Sequence, residues 1–366
     1  MINTSNVSKV IESYISLCFL NTNEQYQHLS GAGSTHFLEE KLRVYYKKKY
    51  AITFSNATTA LQTLCIAMDL NNTEILTSPI NWGGSVSPFL LHGNRLRFTS
   101  FNPDSLNLSI NDLADAITEK TKAVLSVDFN GTPVNSEAIK KICLQNNLLY
   151  ISDSAQSLGS FFNNKSAGYF ADAIVLSFSP GKSFFAGEGG AVITDNDTIY
   201  EKLLWFSQHP SRQKTVLGLS NFNSYAPING RMNPLSAIIL NNTFEVTYNA
   251  LKEYQFKCFK LIRQLYANNL IEETPHIPDP SASTFFGFSL KLKKAFGINQ
   301  VNEFLKVINQ PFIAVPFTPN IIPFDGAFRK QFKFRFSCSK ALLDQKSGIQ
   351  SCDRIKLINN PLNIIL

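Results

Sequence analysis

The reading of this chain turns on residues 177–190, Ser177-Phe178-Ser179-Pro180-Gly181-Lys182-Ser183-Phe184-Phe185-Ala186-Gly187-Glu188-Gly189-Gly190. A lysine stands in a turn-forming Pro-Gly context behind an apolar strand over 173–176, and a second apolar strand over 191–194 follows the Gly-Glu-Gly-Gly turn. Strand, turn, lysine, turn and strand put an amine at the bottom of a cleft rather than on a solvated face. An amine confined in this way loses charge by desolvation and can form a Schiff base with a carbonyl. Taken alone, one lysine among glycines reads as a surface-loop residue. The flanking chain decides between the two.

Upstream, apolar strands alternate with helical patterns. A helix over 35–46 follows the small-residue segment Gly31-Ala32-Gly33-Ser34. A strand over 51–54 leads into Ser55-Asn56-Ala57-Thr58-Thr59, and Leu61, Leu64, Cys65 and Met68 recur at helical spacing over 60–70. Strands over 74–77, 96–99, 123–127 and 148–152 then alternate with helices near 86–91, 110–117 and 136–145. Repeated units of this kind predict an α/β fold with a mostly parallel central sheet and helices on both faces.

In such sheets a ligand lies beyond the carboxyl ends of the strands. The turn 55–59, Trp82, Asp153 and Ser177 all fall near those ends. Each also has an ordinary reading. Asn56 or Thr58 caps a helix as readily as the first helical amides bind phosphate. Trp82 fits a core or surface aromatic, and Asp153 can cap the turn Ser154-Ala155-Gln156. Together, however, the residues describe the needs of pyridoxal 5'-phosphate: an amine, a carboxylate to keep the pyridine nitrogen protonated, an aromatic face, and a nest of N–H and hydroxyl groups for the phosphate. Lys182, Asp153, Trp82 and the turn 55–59 with Ser177 supply all four.

Composition narrows the class further. With 366 residues, 44% of them hydrophobic and 17% charged, the chain can bury a large core, and two domains are expected. A net charge of +7 raises the question of nucleic acid, but the basic residues are scattered and form no basic helix or arginine-rich arm. A basic cleft for a phosphorylated small molecule fits as well. The six cysteines (Cys18, Cys65, Cys143, Cys258, Cys338, Cys352) are widely spaced without a C-x-x-C pair, which predicts free thiols in a reducing compartment and no metal site. The start, Met1-Ile2-Asn3-Thr4, lacks the basic and apolar regions of a signal peptide, and no apolar run reaches membrane-spanning length. The expectation is a cytoplasmic protein that binds neither nucleic acid nor membrane.

Several of these segments carry a family resemblance. Ile151-Ser152-Asp153-Ser154-Ala155-Gln156-Ser157-Leu158-Gly159, Ser177-Phe178-x-x-x-Lys182 and Gly187-Glu188-Gly189-Gly190 resemble the DegT/DnrJ/EryC1/StrS sugar aminotransferases. So do Ser55-Asn56-Ala57-Thr58-Thr59-Ala60-Leu61, Thr77-Ser78-Pro79-Ile80-Asn81-Trp82 and Asn229-Gly230-Arg231-Met232, in the family's order. The likeness runs from about residue 30 to about residue 237.

The resemblance implies a fold-type I subunit and a homodimer with shared active sites. It implies transfer of an amino group, usually from glutamate, to a nucleotide-linked keto-sugar in amino-sugar biosynthesis for surface polysaccharide or glycan. By the same resemblance Lys182 forms the Schiff base and moves protons, and Asp153 pairs with the pyridine nitrogen. Gln156 lies by the ring hydroxyl and Trp82 stacks on the ring. Ala57, Thr58 and Ser177 hold the phosphate, and Asn229, after a polar loop over 208–224, reaches the cofactor phosphate of the neighbouring subunit.

Three departures stand out. Ala57 replaces the family's usual glycine, which is tolerable if its backbone is not left-handed. Asp128, in Val127-Asp128-Phe129-Asn130-Gly131, replaces the usual histidine, so that histidine's role does not carry over. The stretches Thr284-Phe285-Phe286-Gly287-Phe288 and Ala314-Val315-Pro316-Phe317-Thr318-Pro319 match weakly, and no particular sugar is implied.

The expected division is a large cofactor-binding domain over 1–245 and a smaller C-terminal α/β domain over 246–366. The latter opens with a helix over 244–267, breaks at the prolines of 275–280, and continues as strand, helix (302–308) and strand. Two other functions compete: a pyridoxamine-dependent sugar dehydratase on the same scaffold, and a non-catalytic regulatory protein that keeps the fold. Lys182 stands against dehydratases that carry histidine at that position, and the scattered cysteines stand against those with an iron–sulfur centre. A regulatory protein would be expected to have lost Lys182 or Asp153.

Overall fold

The apolar runs expected as strands do form strands, and their pairing sets where the site can be. The computed structural model describes residues 29–218, 228–332, 335–345 and 354–359, with Ser8, Lys9 and Glu12 besides. Cys18, Cys352, the first seven residues and residues 219–224 of the expected polar loop lie outside the described residues.

A helix α1 (Ser34–Tyr46) precedes β1 (Tyr50–Phe54), α2 (Ala57–Ala67), β2 (Glu74–Thr77), α3 (Gly83–Leu91), β3 (Arg95–Phe98), α4 (Leu113–Ala116) and β4 (Thr121–Val127). Then come α5 (Ser136–Gln145), β5 (Leu149–Asp153), a short hairpin of β6 (Phe161–Phe162) and β7 (Lys165–Ser166), β8 (Ala173–Ser177), β9 (Gly190–Thr194), α6 (Asp197–Ser207) and α7 (Pro210–Leu217). The large sheet has eight strands in the order β1-β9-β8-β5-β4-β2-β3-β12, where β12 is Phe336–Cys338. Pairing is parallel from β8 through β5, β4, β2 and β3 to β12. Only β9 runs against its neighbours β8 and β1. It follows that β1, β2, β5 and β8 all point the same way and that β9 begins where they end. The turn 55–59, Asp153, Ser177 and Gly190 therefore gather at one sheet edge.

Alternate residues of the strands serve opposite faces, as a pleat requires. Ile75, Val175 and Val192 enter one apolar core, while Leu76, Ile174 and Ile193 enter the other. Buried on both sides, these strands read as continuous apolar runs.

The C-terminal third differs from its expectation in two ways. Its helix begins ten residues early, as Pro234–Ala267 (α8), because Asn233 caps it (Leu235 N donates to Asn233 Oδ1 at 2.9 Å) and Pro234 suits the first helical position. Leu240, Phe244 and Leu251 of α8 pack in the second core, and Cys258, Leu261 and Leu265 in a third. Residue 245 thus falls within one continuous helix. A three-stranded antiparallel sheet covers the third core: β10 (Ser289–Lys291), β13 (Arg354–Asn359) and β11 (Phe312–Pro316), with the helix Ile298–Val307 against it. The strand Phe336–Cys338, by contrast, leaves this unit and extends the large sheet.

Smaller corrections follow from local chemistry. The helix expected over 110–117 shrinks to Leu113–Ala116. A helix, Pro210–Leu217, occupies the first half of the expected polar loop, since His209 Nδ1 accepts from Ser211 N and proline again opens the helix. Asp153 is the last residue of its strand rather than the first of the turn.

Candidate active site

At the sheet edge just described lies a cavity of about 450 Å³ whose lining includes Ala57, Thr58, Trp82, Asp153, Gln156, Ser177 and Lys182. Seven of the eight residues singled out from the sequence thus share one space. Asn229 does not line it. That residue is exposed, in a segment held beside β1 by Ser55 N donating to Gly230 O at 2.7 Å.

Lys182 reaches the cavity from a tight turn. Gly181 has φ of +86°, a conformation that favours glycine, and Lys182 N donates to Ser179 O at 3.2 Å. Burial lowers the amine below its ordinary value, while the charge of Asp153 opposes that shift. Asp153 is buried, and burial raises its carboxyl; a hydrogen bond from the Ser85 side chain, one from Ala155 N at 3.1 Å and the Lys182 charge pull the other way. Desolvation thus pushes both groups toward their neutral forms.

The turn 55–59 settles which residue caps the helix. Thr59 N donates to Asn56 Oδ1 at 2.8 Å, so Asn56 is the cap and the hydroxyl of Thr58 is left to the cavity. Ala57 opens the helix with right-handed backbone, and its replacement of glycine carries no strain. The first N–H groups of a helix have no acceptor within it, so an anion is favoured here. Gly190 completes the cradle: a Cβ there would stand 2.5 Å from Asn56 C and 2.6 Å from Ala57 N. Ser177 ends β8, with its hydroxyl 3.1 Å from that of Ser179.

Trp82 precedes α3 and is 73% exposed, an aromatic face on the cavity wall rather than a core residue. Gly84 keeps the space between it and Thr58 clear, since a Cβ would meet both within 2.9 Å. Gln156 is oriented by Asn130 N, which donates to its Oε1 at 2.8 Å.

Four further residues carry the site without having been assigned a role from sequence. Ser85, Ser179 and Glu188 line the cavity. Asp128, which follows β4 and donates its backbone N–H to Asp153 O at 3.1 Å, is fully buried. It accepts from Val134 N at 2.9 Å and from the hydroxyls of Ser154 and Ser157 at 2.7 Å each. Burial raises its carboxyl to about 6, against these bonds. The only hint of this in the sequence is the pair of serines three apart after Asp153, and nothing local reveals that they turn toward residue 128.

Among the described residues no group of three or more His, Cys, Asp or Glu could hold a metal ion, and no helix is long and apolar enough to cross a membrane. Cys65, Cys143 and Cys258 are buried, and burial raises their thiols. The residues present fit a phosphorylated pyridine aldehyde, since the glycine-cleared cradle, the hydroxyls, the carboxylate and the amine open on one space.

Comparison with known proteins agrees with the fold described above. A transaminase of Helicobacter pylori acting on UDP-4-amino-4,6-dideoxy-N-acetyl-beta-L-altrosamine, by its name, is 36% identical over 179 residues, 48% of each chain. The match therefore spans about half the length of that curated relative. A solved Helicobacter pylori aminotransferase involved in pseudoaminic acid biosynthesis has a TM-score of 0.69 at 23% identity, covering 93% of both chains. The Escherichia coli GDP-4-keto-6-deoxy-D-mannose-3-dehydratase with bound hydrated PLP has a TM-score of 0.71 at 20% identity, covering 98% of this chain and 92% of that one. These structures share the fold. The family model of the DegT/DnrJ/EryC1/StrS aminotransferases matches residues 20–341, and the chain belongs to that family.

Proposed function

We propose that the protein is a pyridoxal 5'-phosphate-dependent aminotransferase that moves an amino group, from glutamate in our reading, to a nucleotide-linked keto-sugar. The observation that carries the proposal is the convergence of Lys182 and Asp153 on one cavity with a helix N-terminus and Trp82. When bound, the cofactor supplies an electron sink for breaking bonds at the carbon that bears the nitrogen.

In this reading the chain's own residues divide the remaining work. Thr58, Ser177 and the first amides of α2 bind the phosphate, and Trp82 shields one ring face from water. Asp153 keeps the ring nitrogen protonated, and Gln156 orients the ring through its hydroxyl. Lys182, whose amine burial favours in the neutral form, holds the cofactor covalently and then moves the proton. Asn229 completes the site of a second copy in a homodimer.

The test is spectroscopic. Purified protein should absorb as a lysine-bound cofactor, bleach on adding glutamate, and recover when a nucleotide-linked keto-sugar is supplied. Borohydride should trap the cofactor on Lys182, and a trapped peptide carrying another lysine would refute the assignment. A sugar dehydratase is the second reading, because a dehydratase is among the solved proteins that share the fold. It predicts a product that has lost a hydroxyl and kept no nitrogen. Mass spectrometry of the product separates the two.

A further inference from the structure

Residues 283–289 form a strap between the C-terminal third and the active-site loops. Thr284 N donates to Gly131 O at 3.0 Å, and Thr284 Oγ1 to Gln156 O at 2.6 Å. Gly287 N donates to Asn130 O at 3.3 Å, and Asn130 Nδ2 to Ser289 Oγ at 2.8 Å. At position 287 a Cβ would overlap Asn130 Oδ1, so a larger residue would displace the Asn130 side chain. Between these fastenings Phe285 is buried with φ of +55°, a backbone that bulky residues rarely adopt. The next residue, Phe286, is 38% exposed, and its ring lies 4.2 Å from Lys182 Nζ. A strained turn pinned on both sides thus puts an aromatic face against the amine of the site.

An ammonium facing a ring is stabilised by the ring's quadrupole, whereas a neutral amine gains little. The titratable groups that line the cavity with Lys182 are Asp153 and Glu188, and Asp128 lies behind Asp153. We propose that Phe286 is a positioning residue for Lys182: its ring holds the ammonium form and sets the pH range in which the amine becomes nucleophilic. The consequence for catalysis rests on the function proposed above, but the test does not.

The full chain, freed of cofactor, is labelled with limiting acetic anhydride over a pH series, and peptide mass spectrometry reads acetylation at Lys182 against exposed Lys141. Phe286→Leu keeps apolar bulk without a π face. It should lower the titration midpoint and raise Lys182 labelling near neutral pH by roughly three- to tenfold. Phe286→Tyr should match the parent. Phe286→Ala admits water and should bring the midpoint back above that of Phe286→Leu. A midpoint in Phe286→Leu equal to the parent's, or a Phe286→Tyr that follows Phe286→Leu, overturns the proposal. Adding pyridoxal phosphate to unlabelled parent protein tests the other reading. No absorbance of a bound cofactor there would refute the cofactor role of Lys182 and leave the labelling result standing.

Discussion

Two buried carboxylates at the ends of neighbouring strands illustrate how environment divides roles at the residue scale. Asp153 faces the cavity and the amine, while Asp128 is turned inward and saturated by Val134 N, Ser154 and Ser157. Replacing Asp153 by Asn keeps the shape but cannot sustain a protonated ring nitrogen. We expect cofactor retained and transamination slowed by about two to four orders of magnitude; a rate near that of the parent would remove Asp153 from the mechanism. Asp128 makes a different prediction. Its folded value, about 6, lies above the ordinary 3.8, so the folded chain binds this proton more tightly than the unfolded one. The resulting stability is complete below the lower value and is lost as pH rises through the upper one, an effect of about 3 kcal/mol. Urea midpoints at about pH 4.5 and about pH 7.5 should therefore converge in Asp128→Asn relative to the parent. Equal pH dependence in both proteins would contradict the assignment.

At the scale of elements, the start of α2 and the start of β9 make one structure. Gly190 has no room for a Cβ because the backbone of Asn56 and Ala57 fills the space. Gly190→Ala must push these segments apart, which we expect to cost about 1–3 kcal/mol and to loosen phosphate binding. Denaturant melts with cofactor dialysis read both effects, and a variant unchanged in both would show that the cradle is not packed in this way. Asn56→Ala should cost about 1 kcal/mol through the lost cap alone. The turns were legible because Pro-Gly, Gly-Gly and Ser-Asn-Ala-Thr-Thr each carry backbone chemistry in their own residues. The strap 283–289 was not, because Thr284 and Gly287 owe their conformation to Gly131, Gln156 and Asn130, more than a hundred residues away.

Across the whole molecule, a buried ion pair joins segments far apart in sequence. Arg212 Nη2 lies 2.6 Å from Glu39 Oε2, with side chains 4% and 6% exposed, and Glu39 Oε1 also accepts from Thr53 N at 2.8 Å. Removing the arginine leaves a carboxylate without its partner cation. Arg212→Ala should thus destabilise by about 3–5 kcal/mol, whereas replacing both residues by apolar ones of similar size should cost far less. Equal losses in the two variants would refute that account. The same scale holds the dimer proposal. If Asn229 serves the partner's site, mixing Lys182→Ala with Asn229→Asp subunits puts both defects in one site of a mixed dimer and leaves the other intact. Activity should then return on subunit exchange, and proven exchange without recovery would confine Asn229 to its own subunit or to no role.

What the sequence determined by itself was whatever is encoded locally: the alternation of strands and helices up to Asp153, the turns, the lysine between glycines and the acid at a strand's end. Periodicity and turn chemistry act over a few residues, so they survive without knowledge of the fold. Only the tertiary structure decided that Asn56 caps while Thr58 faces the cavity, that Phe336–Cys338 joins the large sheet, and that α8 runs through residue 245. Those outcomes depend on parallel pairing and on burial, both of which couple residues across long stretches of chain. The partners of Asp128 and of Lys182 are settled the same way: a carboxylate or an amine takes its character from whichever groups the sheet brings to it.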